Sequence, residues 1–117
     1  MSDFVIEDGY SEEAFIAPEP GLHGPLTFTF RPLLAHRRDA VSRNEGEAFA
    51  NAAAKEMAKQ IKSWSATGAD GKALAVSESH IKSAKPRLFD KLWLIVAGYK
   101  GSDAKEAPTD LEGDAKN

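Results

Sequence analysis

Apolar residues recur along the middle of this chain with helical spacing. Phe49, Ala53, Met57, Ile61 and Trp64 are separated by four, four, four and three positions, one stripe of a 3.6-residue helix. The pattern predicts a helix over 45–63, with Ala50, Ala54 and Ala58 as a strip of small residues beside the stripe. Asn44, with Glu47 three residues on, reads as its N-terminal cap. A second stripe, Leu88, Leu92 and Ile95, widened by Phe89 and Val96 and flanked by Trp93, predicts a helix opened by Pro86 and stopped by Gly98. Between them lie a polar turn, Thr67-Gly68-Ala69-Asp70-Gly71, and a short helix over 78–84 capped by Ser77.

Upstream the period changes. Leu26-Thr27-Phe28-Thr29-Phe30 alternates with period two and predicts a strand, with Leu26, Phe28 and Phe30 on one face. A lone strand needs a partner, and residues 4–7, residues 73–76 or another subunit could supply it. Pro32 then opens a helical run through Val41. Ser11 to Ile16 reads as one helical turn halted by Pro18, inside a stretch broken by Pro20, Gly21, Gly24 and Pro25. The expectation is a mainly α fold of three or four helices with a short N-terminal strand or hairpin. It divides into an extended acidic arm over 1–25, a small helical domain over 26–99, and a disordered tail over 100–117, where one Leu and no aromatic residue accompany many charges.

Composition narrows the function classes. About seventy residues remain for a core, which supplies only about 3–5 kcal/mol of net stability, so a partner or a second copy of the chain would add to it. The chain has no Cys, hence no disulfide framework or thiolate metal site. No basic, then apolar, leader is visible at the N-terminus, and no apolar run approaches the roughly 18 residues of a membrane span. A cytoplasmic location is the default expectation.

The net charge of −3 hides an uneven distribution: six acids and no Lys or Arg in 1–30, thirteen Lys or Arg against seven acids in 31–100, and five acids with two lysines in 101–117. Arg37, Arg38, Arg43, Lys55, Lys59 and Lys62 could serve a nucleic-acid surface, but the acidic flanks argue against it. A solvated helical surface explains the same charges.

No catalytic set emerges. His23, His36 and His80 lie in separate segments without metal-ligand spacing. Gly68-Ala69-Asp70-Gly71-Lys72 lacks the spacing of a phosphate loop. Glu12 and Glu13 sit in the arm, with nothing to preorganise them. The expectation is a protein without catalytic residues, metal or cofactor. Its partner-binding candidates are Phe49, Met57, Ile61, Trp64, Leu88, Leu92 and Trp93. Large aromatic anchors of this kind dominate many interfaces, and the same residues could equally close a private core.

The order of elements resembles a known family. A helix ending in Ile61-Lys62-Ser63-Trp64, an Asp70-Gly71 turn, Leu74-Ala75-Val76-Ser77, a capped short helix, and the run from Lys85 to Gly98 are similar to the tail assembly chaperones of long-tailed bacteriophages and prophages. The Thr-Phe-Thr-Phe-Arg-Pro strand before the first helix extends the likeness, which covers about Leu26 to Gly98. The resemblance implies a non-catalytic protein in the bacterial host cytoplasm. Such a protein binds the tape-measure protein, keeps it soluble and recruits tail-tube subunits, and often has a longer, frameshifted form. The alternative is a structural virion component, a tail adaptor or head–tail connector; a second strand beside Leu26–Phe30 would favour it, since tube proteins are strand-rich.

Overall fold

The computed structural model describes residues 11–104. The chain runs β1 (Glu12–Ile16), β2 (Leu26–Phe30), α1 (Ala35–Ser42), α2 (Gly46–Gln60), β3 (Ile61–Trp64), α3 (Glu78–Lys82) and α4 (Pro86–Val96). The strands form one antiparallel sheet in the order β1-β2-β3. This corrects the mainly α expectation: four helices and a three-stranded sheet make a mixed α/β fold.

Both unexpected strands have a physical reason. In β1, Ala14 and Ile16 are buried while Glu13 is exposed, the period of a strand with one wet face. Pairing Ala14 with Phe28 and Ile16 with Leu26 buries both apolar sets on one side. The helical turn expected over 11–16 is therefore the edge strand of the sheet, although the sequence assigned it to the arm. At the other edge, α2 ends at Gln60 and the backbone turns extended at Ile61 (φ −79°, ψ 122°). Phe30 pairs with Ile61 and Thr29 with Ser63, leaving Lys62 as the extra residue of a bulge.

The helices pack on one face of the sheet. Ile16, Phe28, Met57, Ile81, Leu92 and Val96 are fully enclosed. The opposite face carries Glu13, Phe15, Thr27, Thr29 and Ser63, all at least partly exposed. Two links fix the helices to the strands. The Leu33 amide donates to the Val96 carbonyl (3.0 Å), joining the entry to α1 to the end of α4. The Gln60 side-chain amide donates to the carbonyls of Arg31 (2.7 Å) and Pro32 (3.2 Å).

Most helix boundaries follow the sequence signals. Ser77 Oγ accepts from the His80 amide at the start of α3 (3.1 Å). Pro86 occupies the first turn of α4, and Gly98 (φ +88°) ends it, with the Tyr99 amide returning to the Leu94 carbonyl. Asn44 departs from expectation. Its side-chain amide donates backwards to the carbonyls of Ala40 and Val41, so it caps the end of α1. The N-cap of α2 is Glu45, without a side-chain hydrogen bond.

After α4 the chain folds back along β1. The Phe15 amide donates to Ser102 Oγ (2.8 Å), the Asp103 amide to the Phe15 carbonyl (2.8 Å), and the Ala17 amide to Asp103 Oδ2 (2.9 Å). Residues 100–103, assigned by sequence to a disordered tail, thus cover part of the sheet edge. Residues 105–117 of that tail and residues 1–10 of the arm lie outside the described residues.

Candidate functional site

The stripe that predicted α2 divides along its length. Ala53, Met57 and Ile61 are buried against the sheet and α4, whereas Phe49 at one end and Trp64 at the other are only partly covered. Phe49 stands edge-on to Trp93, with ring centroids 5.6 Å apart and planes at 89°. The indole N–H of Trp64 donates to the Leu74 carbonyl (2.8 Å), which pins the loop after β3. Of the seven partner-binding candidates, Met57, Ile61, Leu92 and Trp93 lie in the core. Phe49, Leu88 and Trp64 lie at its margin.

Around Phe49 the margin opens into a groove of about 310 Å³ between the first turns of α2 and the start of α4. Phe49, Ala50, Ala84, Pro86 and Phe89 supply its apolar surface, and Glu47, Asn51, Lys82 and Asp90 its polar positions. The sequence explains why it stays open. Ala48 and Ala50 flank Phe49 with small side chains, and the residues between α3 and α4 shorten to Ser83-Ala84-Lys85. Pro86 fixes where α4 begins. No large side chain is available to fill the space.

Phe49 was the one lining residue among the binding candidates. The sequence pattern marks Pro86 and Phe89 only as helix start and core face. The overlooked signal is a charge inside each apolar run: Glu47 two residues before Phe49, and Asp90 directly after Phe89.

Several charged groups away from the groove are paired. Arg37 donates to Glu56, a carboxylate that is only 6 % exposed and belongs to the face of α2 turned towards α1. Burial of this carboxylate depends on the guanidinium. That bond raises the pKa of Arg37.

A second cluster fastens the β1–β2 connection onto α4. Glu19 accepts from Arg87 Nε (3.1 Å) and Nη2 (2.6 Å) and lies 3.4 Å from Lys91 Nζ. The Arg87 hydrogen bonds, with help from Lys91, lower the Glu19 pKa to about 2. His23 sits in the same connection, its Nδ1 2.9 Å from the Gly24 carbonyl and its Nε2 3.5 Å from Lys91 Nζ. Its backbone pairs with that of Glu19 across the turn. The Lys100 ammonium and the Ala17 amide hold Asp103 below the usual carboxylate range.

His36 is exposed and His80 Nδ1 bonds to the Ala75 carbonyl (2.7 Å). Among the described residues, no group of three or more His, Asp or Glu is placed to hold a metal ion, and no helix is long and apolar enough to cross a membrane. Comparison with protein-family models, with curated proteins and with solved structures finds no match.

Proposed function

We propose that this chain is a non-catalytic tail assembly chaperone of a long-tailed bacteriophage or prophage, working in the host cytoplasm. It binds the tape-measure protein and recruits tail-tube subunits to it. The observation that carries this reading is the open groove at Phe49, Pro86 and Phe89, an apolar surface left over once the core is complete. Helix-in-groove binding uses such a surface to hold the apolar face of an amphipathic helix. A groove this small makes a modest interface, which suits a complex that tube polymerisation must later displace.

Co-expression with the tape-measure protein of the same phage tests the proposal. The tape measure should remain soluble with the native chain and precipitate with Phe49→Asp. Equal solubility without the chain removes the idea.

One observation favours a second reading, a structural virion component such as a tail adaptor or head–tail connector. β2 is paired on both sides, by β1 and β3, so the chain is richer in strands than its sequence pattern implied. Mass spectrometry of purified virions separates the two readings: a chaperone is absent from the finished particle, and an adaptor is present in stoichiometric amounts.

A further inference from the structure

The rim of the Phe49–Phe89 groove carries carboxylates from two helices. Along α4, Arg87 and Lys91 both reach Glu19. On α1 and α2, Arg37 meets Glu56. Glu47 and Asp90 make no such pair. Both are exposed, both line the groove, and neither has a cation within salt-bridge distance among the described residues. They approach it from different helices, Glu47 from the first turn of α2 and Asp90 from the second turn of α4. Asn51 adds a third acceptor. Its side-chain oxygen is shut off from solvent without a hydrogen-bond partner, and it lines the same groove. The cation in the lining, Lys82, comes from α3.

We infer that the groove takes a cationic amphipathic helix, in which Lys or Arg residues flank the apolar side chains that enter between Phe49 and Phe89. This rests on reading the groove as the client-binding site and names the chemistry of the client. Its volume is at the low end for ligand pockets, suited to a few side chains rather than a cofactor. Apolar residues at i, i+3 or i+4 of the client fill it. Cationic neighbours on the same helix reach Glu47 on one side and Asp90 on the other. Lys82 repels a cation on the α3 side, so the client's positive residues are confined to the side of α2 and α4. Exposed carboxylates at a rim set selectivity and encounter rate more than affinity.

The test titrates the full chain with two dye-labelled 20-residue helical peptides that share one leucine stripe. One carries lysines beside the stripe and the other glutamates at the same positions. Fluorescence anisotropy reads binding, and amide chemical shifts of Phe49 and Phe89 report its location. At low salt the lysine peptide should bind at least tenfold more tightly, and the difference should shrink in 0.5 M NaCl.

Glu47→Lys with Asp90→Lys should reverse the preference. Both positions are exposed, and circular dichroism checks that the fold is retained. The control pair Asp70→Lys with Glu78→Lys makes the same change in net charge away from the groove, and should leave the preference in place.

Equal binding, a preference for the glutamate peptide, or the same loss in the control pair overturns the cationic client but leaves the groove as a binding site. If neither peptide shifts Phe49 or Phe89, the groove reading falls as well. A dimer that Phe49→Asp dissociates would assign the groove to a second copy of this chain, and would also overturn the inference.

Discussion

The two ends of α2 follow one sequence rule and reach opposite outcomes. Towards Gln60 the stripe is sealed: Met57 is fully enclosed, Ile61 passes into the sheet, and the neighbouring Glu56 is closed over by Arg37. Towards Gly46 it is open, and Phe49 shares its exposed side with a groove. Helical periodicity says which residues share a face. What covers that face depends on elements distant in sequence. At the sealed end β2, β3 and Arg37 of α1 converge; at the open end the end of α3 and the start of α4 border a groove that nothing fills.

The hardest way to break this contrast is to hollow out the sealed end. Met57→Ala should cost about 2–5 kcal/mol, since the enclosing side chains collapse only partly into the space. Denaturant unfolding would read it as a large fall in midpoint at an unchanged slope. A shift comparable to that of an exposed position would mean that the end is less tightly packed than described.

Arg37→Ala comes next and should destabilise more than Glu56→Gln. The first strands a carboxylate in a nearly closed site, while the second removes the charge along with its need for a partner. Equal midpoints for the two variants would show that Glu56 finds water.

At the open end, Phe49→Ala should cost less than Met57→Ala, about 1 kcal/mol for the edge contact with Trp93 plus the packing of a half-buried ring, while abolishing client binding. The contrast sharpens if stability and binding separate in this way. It fails if Phe49→Ala unfolds the chain as Met57→Ala does.

The smallest effect concerns charge. The Glu19 pKa is lowered from 4.5 to about 2, so its pairing stabilises the fold above the unfolded value and is lost as pH falls through that window. Exposed pairs contribute little, so the midpoint should decline only slightly between pH 4.5 and 2. Glu19→Gln should flatten the part of that slope that belongs to this pair. An unchanged slope would detach Glu19 from the acid response.

How much of this was legible in the sequence follows from where the partners lie. Ser77, Pro86 and Gly98 act within a turn of their own position, and each marks the boundary that the sequence assigned to it. β2 stood out because five residues alternate cleanly. β1 did not, because Glu12-Glu13-Ala14 has weak strand preference and becomes a strand only when Phe28 and Leu26 lie opposite. β3 was hidden differently. Ile61 and Trp64 continue the helical spacing of Phe49, Ala53 and Met57, so one set of positions satisfies both readings until the sheet is present. The groove was half visible: Phe49 was singled out for binding, but the space beside it exists only where α2, α3 and α4 meet.

The passage from α2 into β3 has no loop, since Gln60 closes the helix and Ile61 opens the strand. Most proteins absorb added or deleted residues in their connections. Here an added residue has nowhere to go. Placed in the last turn of the helix, it would turn everything before it by about 100° relative to the sheet; placed in the strand, it would exchange the inner and outer faces. The bulge at Lys62 already takes the one irregularity that this edge shows. The distance from Phe49 to Trp64, counted in residues, is therefore a fixed length in this molecule. By contrast, residues 65–77 between β3 and α3 could lengthen without moving either end of the stripe.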